Sequence, residues 1–231
     1  MGVALALVFV AWVAMRWQPQ DLPWTPLDLG APIGLATGGK LAALGDDFPA
    51  CRVLLDRAGV RYDALAPRRD GPACGFDDGV RLVSGGARGI AFAPAGVGVA
   101  CPVAAALAMW EWRVVQPAAR RRFAQGVASI EHLGSYNCRR MYGSASGAWS
   151  EHATANALDV AGFRLANGRR VTILGDWNSP DAATRAFLRD VRDGACEVFA
   201  TTLSPDYNAA HRDHLHLDQA SRGSLGRRAC R

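Results

Sequence analysis

Apolar positions follow a helical spacing in the middle of the chain and a period of two around several later segments. Pro102 to Val115 is apolar at almost every position and predicts a buried helix, with Pro102 suited to its first turn. Ala118 to Gln125 is expected to continue helically after Pro117. Pro180 opens an amphipathic helix that runs to Gly194, with Ala183, Phe187, Leu188 and Val191 on one face. Upstream, Lys40 to Gly59 reads as a helix with Leu41, Leu44, Val53 and Leu54 apolar, broken in two by Pro49. Residues 63–100 are turn-rich, with short strands at 80–83 and 90–92. Strands are expected at 127–135, 157–163, 170–175, 199–202 and 214–219. Helices first and antiparallel strands after them predict an α+β fold, a small antiparallel sheet flanked by helices. No internal repeat is visible.

The N-terminus has a pattern of its own. Gly2 to Met15 is an uninterrupted apolar run ended by Arg16. That length suits a signal-peptide core and is short of the roughly 20 residues of a full span. A basic n-region and an A-x-A site are both missing. An uncleaved inner-membrane anchor and a signal peptide with a truncated start both fit, and the anchor is favoured. Either one places the folded domain in the periplasm. Residues 18–34 hold four prolines and predict an extended tether. The expected plan is therefore a membrane segment at 1–17, a tether at 18–34 and one domain at 35–231.

Candidate chemistry sits in the histidines. The chain has five, and three fall within six residues: His211, His214 and His216. In a strand, His214, His216 and Asp218 would share one face while Leu215 and Leu217 enter the core. Upstream, His152 is followed seven residues later by Asp159. Ser150 can cap a short turn before His152, and Asp159 opens a β-like run. Two histidines and a carboxylate with an open fourth position are the ligand types of a catalytic zinc. His152, Asp159 and one histidine of the cluster supply them. We read His216 as that third ligand. Asp213, three residues earlier, is then the general base, and His214 stabilises an oxyanion or orients the base. Manganese or another divalent ion would also suit these ligands. His132 reads as a packing residue. Trp149, Trp177 and Tyr207 are candidate walls of a groove, and Arg120–Arg122 a solvated helix face.

Composition narrows the class. Half the residues are apolar, a fifth are charged and the net charge is +5, as in a globular domain. Ser84–Gly89 is glycine-rich but lacks the ending of a phosphate loop, and no zinc knuckle or aromatic-basic pattern is present. Nucleic acid is not an expected partner. Six cysteines without a CxxC pair predict disulfides in an oxidising compartment. Of fifteen connectivities, pairing of sequence neighbours is expected: Cys51–Cys74, Cys101–Cys138 and Cys196–Cys230.

Around these residues the chain resembles the bacterial extensin-like C-terminal domain family. The matching segments are Gly134–Arg139, Ser150–Phe163 and Ser204–Asp218, with Cys101–Trp110 as a fourth. That family is in turn similar to zinc D-alanyl-D-alanine peptidases, to murein endopeptidases and to the hedgehog metal domain. The resemblance implies zinc ligands at His152, Asp159 and His216 and a catalytic carboxylate at Asp213. It implies active-site roles for His214 and His211, and stabilisation of the tetrahedral intermediate by Arg139. In the peptidases that arginine directly follows the tyrosine, whereas Asn137 and Cys138 intervene here. The implied function is a periplasmic zinc peptidase cleaving amide bonds in peptidoglycan peptides, a D,D-type endo- or carboxypeptidase. The alternative is a non-catalytic wall-binding or assembly module that retains a structural zinc.

Overall fold

The computed structural model describes residues 2–222 and 228–231. Its helices are α1 (Gly2–Trp17), α2 (Thr37–Ala42), α3 (Phe48–Arg57), α4 (Cys101–Trp110), α5 (Gln116–Phe123), α6 (Ile173–Asp176) and α7 (Ala182–Val198). Strands β1 (Val60–Ala64), β2 (Arg68–Gly71), β3 (Cys74–Phe76), β4 (Gly79–Gly86), β5 (Ala91–Ala93) and β6 (Gly98–Ala100) precede α4. After α5 come β7 (Val127–Gly134), β8 (Ala157–Leu165), β9 (Arg170–Thr172), β10 (Thr201–Leu203), β11 (Leu215–Asp218) and β12 (Ala229–Cys230). The fold is α+β, as the patterning predicts.

The main sheet has seven strands in the order β12-β10-β11-β8-β7-β5, with β9 on β8. It is antiparallel except at its two edges, where β10 pairs with β12 and β5 with β7 in parallel. A three-stranded antiparallel sheet, β1-β4-β6, and the hairpin β2–β3 stand apart from it. Strand β4 takes in the strand expected at 80–83, while β2, β3 and β6 lie where turns were expected.

Helix α4 is buried along its whole length, and its small residues allow close approach by its neighbours. At its end Trp110 is fully buried, donates Nε1–H to the Val191 carbonyl at 2.8 Å and packs on Phe163 and Phe199. Two helical pieces flank the Pro49 region, and the chain stays helical past Pro117, as expected. Pro49 lies in the first turn of α3, which Asp47 caps by accepting from the Ala50 N–H at 2.9 Å, so it starts a helix and the break falls before it. Pro117 does not interrupt its helix. A π-turn at Glu111–Val115 widens the helix just ahead of it, where a proline ring would otherwise meet the carbonyl four residues back. The strand expected at 170–175 stops at Thr172, whose hydroxyl caps α6 by accepting from the Gly175 N–H.

Two expectations about the N-terminus are corrected. Among the described residues no helix is long and apolar enough to cross a membrane. Helix α1 has 16 residues; at about 1.5 Å per residue that is roughly 24 Å, short of a hydrocarbon core about 30 Å thick. The inner-membrane anchor, and the anchored periplasmic placement built on it, are therefore not supported. The proline-rich stretch is also no free tether. Leu29 is 1% exposed in the core, and Gln20 is buried. Lys40 Nζ donates to the Pro19 carbonyl at 3.1 Å, to Thr25 Oγ1 at 2.9 Å and to Gln20 Oε1 at 3.3 Å. A chain starting at residue 35 loses Leu29 and these acceptors. It is expected to be about 2–4 kcal/mol less stable than one starting at residue 18. Urea midpoints of the two forms measure this, and equal midpoints would show that the packed segment contributes nothing.

Only one of the expected disulfides forms. Cys196 pairs with Cys230, but Cys51 joins Cys101 and Cys74 joins Cys138. Helix α3 packs along α4, which brings Cys51 to Cys101. The hairpin β2–β3 folds back to the chain after β7, which brings Cys74 to Cys138. Tertiary packing, and not distance along the chain, chose the partners.

Candidate metal centre

His152 stands in a single 3-10 turn, Glu151–Thr154. The Ser150 hydroxyl caps it by accepting from the His152 N–H at 3.3 Å. Beyond the turn the chain enters β8, which pairs with β11 so that Asp159 faces His216 directly. On both strands the residues alternate. Leu158, Val160, Leu215 and Leu217 enter the core, while Asp159 and His216 point to the other face.

Three ligand atoms converge there. His152 Nε2 lies 3.2 Å from Asp159 Oδ1 and 3.2 Å from His216 Nδ1, and His216 Nδ1 lies 3.0 Å from Asp159 Oδ1. A tetrahedral zinc with bonds of about 2.0 Å has edges of about 3.3 Å between its ligands. The side chains of His152, Asp159 and His216 are only 3%, 12% and 12% exposed. Crowding two imidazole nitrogens and a carboxylate out of water is costly unless a cation lies among them. The donor set therefore fits a metal ion.

Each histidine ligand is also held from behind. His152 Nδ1–H donates to the Ser135 carbonyl at 2.5 Å, which leaves Nε2 free to bind. His216 Nε2–H donates to Asp218 Oδ2 at 2.9 Å, which leaves Nδ1 free. Such outer partners fix the tautomer and ring orientation. Asp218 shares a strand face with His216, so its side was readable from the alternation, but its service to His216 was not.

The charges follow from this packing. Burial pushes the Asp159 carboxyl up, but bonds from His152 and His216 outweigh it and hold the group well below the usual carboxylate range. Burial likewise opposes a charged His216, yet Asp159 and Asp218 raise its pKa to about 9. A metal must displace that proton. Below about pH 9 the apparent zinc affinity is thus expected to fall by about tenfold per pH unit, and to rise as the pH returns. Competition titrations at about pH 6, 7 and 8 measure it, and a pH-independent affinity would refute the displacement.

His214 and His211 stand beside the converging atoms without joining them. His214 Nε2 lies 3.5 Å from Asp159 Oδ1, and its Nδ1–H donates to Asp213 Oδ1 at 2.9 Å. His211 packs its ring against His214 and His216, with centroids 5.3 and 6.0 Å away. Burial, with the His214 and His216 rings beside it, lowers the His211 pKa to about 4. Asn208 Oδ1 accepts from the Ala210 N–H, and His211 Nδ1–H donates to the same oxygen at 2.7 Å. His211 Nε2 is left as an acceptor. The Arg139 guanidinium makes no hydrogen bond or ion pair among the described residues. Tyr207 is 43% exposed and its ring lies 5.6 Å from that of His211, so it flanks the site. Trp149 is half-exposed beneath Arg140. Trp177 is no groove wall: it is 3% exposed, donates to Asp206 Oδ1 and is covered by Arg189. His132 bonds the Pro94 carbonyl and packs on Phe92, a structural role.

Comparison with curated proteins and with solved structures returns no match to the chain. The family model described as the extensin-like protein C-terminus matches residues 49–231, which takes in every residue of the centre, and the chain belongs to that family.

Proposed function

We propose that this protein is a zinc-dependent peptidase that cleaves amide bonds in peptidoglycan peptides, as an endo- or carboxypeptidase of D,D type. One observation carries the reading. His152, Asp159 and His216 converge as three ligands, while Asp213 and His214 stand beside them without joining. Three protein ligands leave a fourth position, whereas a structural zinc is enclosed by four. That favours an enzyme over a wall-binding module with a structural metal. The peptidoglycan substrate and its D,D bond rest on the motif resemblance to zinc D-alanyl-D-alanine peptidases and murein endopeptidases.

Zinc bound there supplies Lewis acidity, which polarises a substrate carbonyl and makes water nucleophilic near neutral pH. The side chains supply the rest. Asp213 takes up a proton and passes it to the leaving amine. His214, held by Asp213, presents Nε2 to the charge that develops on the substrate oxygen. Arg139 has its donors free for a substrate carboxylate or oxyanion. His211 walls the site and offers Nε2 as an acceptor.

The test is a digest of purified peptidoglycan by the chain from residue 18, resolved by mass spectrometry. Loss of crosslinked dimers or release of terminal alanine supports the reading and names the bond. Unchanged muropeptides, with zinc stoichiometric, would sink it in favour of the binding module.

A further inference from the structure

The segment just after β7 holds the turn that bears His152. The Ser135 carbonyl accepts from His152 Nδ1, the Ser135 hydroxyl donates to the Ala155 carbonyl at 3.2 Å, and the Asn137 N–H donates to the His152 carbonyl at 2.9 Å. The same segment is fastened on its other side to the hairpin β2–β3. Cys138 is bonded to Cys74. The Tyr136 hydroxyl donates to Asp70 Oδ2 at 2.7 Å, Arg68 lies 4.1 Å from the Tyr136 ring centroid, and Phe76 meets that ring edge-on at 5.7 Å. The hairpin has little core of its own. Arg68–Gly71 is exposed throughout, and the hairpin belongs to neither larger sheet. Its β3 strand also lies against the turn Glu151–Thr154.

We propose that the hairpin β2–β3 is an outer strap that positions the ligand His152, and that reduction of Cys74–Cys138 weakens metal binding. Tyr136 is then a positioning residue, acting through Ser135 and Asn137. The inference rests on the metal-binding part of the proposed function and not on hydrolysis. Cys138 is exposed and Cys74 buried, whereas both halves of Cys51–Cys101 are fully enclosed. A dithiol reductant fits the reaction. One of its thiolates attacks the Cys138 sulfur, the S–S bond breaks, and Cys74 leaves as a thiolate that takes a proton. The second thiol of the reductant then displaces Cys138 and closes the oxidised, cyclic reductant. Two electrons and two protons reach the protein. Freed of the bond, the strap is held by the Tyr136 contacts and by the packing of β3 on the turn, and Ser135 is fixed less firmly behind His152.

The test compares zinc affinity, by chelator competition, and the cobalt absorption spectrum across variants of the full chain. The Cys74→Ser/Cys138→Ser pair is expected to weaken binding by about 10–100-fold, the usual cost of losing an outer-shell partner, and to alter the cobalt bands. Tyr136→Phe keeps the ring and removes one hydrogen bond, for a loss of up to about tenfold; it decides the matter if the double variant does not fold. Cys196→Ser/Cys230→Ser, a disulfide away from this segment, is expected to leave affinity unchanged. In the wild type, graded dithiol treatment followed by alkylation and removal of the reductant should lower affinity in step with labelling of Cys74 and Cys138. Affinity within about twofold of wild type in the folded double variant, or in Tyr136→Phe where the double variant does not fold, overturns the strap. An equal loss in the Cys196/Cys230 control also overturns it. A wild type that binds no zinc overturns the metal centre as well, whereas normal binding without hydrolysis leaves the strap standing and removes the peptidase.

Discussion

Replacing His216 by alanine is expected to weaken zinc binding by about a thousandfold and to abolish any hydrolysis. Structural zinc sites gather roughly 10–16 kcal/mol, so one ligand of three accounts for about 4 kcal/mol, or three powers of ten. The reason is specific to this position. His216 supplies one of three converging atoms, links β11 to Asp159 of β8 and is backed by the carboxylate of Asp218. Its removal leaves Asp159 with His152 as its one converging partner and His214 farther off at 3.5 Å, and Asp218 a buried carboxylate without that partner. The fold should survive, because Leu215 and Leu217 hold the strand in the core. Chelator competition against the wild type measures the loss, with circular dichroism as the control for folding. Affinity within tenfold of the wild type would show that His216 is not a ligand.

Asp213→Asn is expected to act in the opposite way, sparing the metal and removing the chemistry. The asparagine oxygen can still accept from His214 Nδ1, so the neighbouring ring keeps its place. The proton carrier is gone, and kcat should fall by about 10^2–10^4. Metal analysis of the purified variant together with muropeptide kinetics separates the two effects. Loss of zinc would make Asp213 part of the metal's hold, and unchanged kcat would place the proton elsewhere.

Much of this centre is legible before any fold is known. The alternation from His214 to Asp218 puts every second residue on one face, and in the structure Leu215 and Leu217 do turn inward. The ligand types of His152, Asp159 and His216 are readable from composition and spacing, because few side chains hold a divalent ion. Helix α7 follows from periodicity because it buries one face against the core, whereas β8, buried on both faces, reads as an apolar run. The helix continues past Pro117 as the pattern predicts, but the π-turn ahead of it is a backbone adjustment with no residue signature. In the region 63–100 the strands expected at 80–83 and 90–92 appear as β4 and β5, whereas β2, β3 and β6 are too short to display a period.

What pattern and residue chemistry establish here are the α+β class, the strand faces and the types of side chain that meet at the centre, since these depend on neighbours along the chain. Three things needed the tertiary structure. Disulfide partners depend on which elements pack, so Cys51 found Cys101 and Cys74 found Cys138. The packing of Leu29 and the Lys40 contacts turned a proline-rich stretch into part of the domain. The carbonyl behind His152 comes from Ser135, seventeen residues away, and a backbone oxygen carries no mark in a sequence. Contacts made across the fold are set by burial and shape in three dimensions, which no one-dimensional spacing encodes.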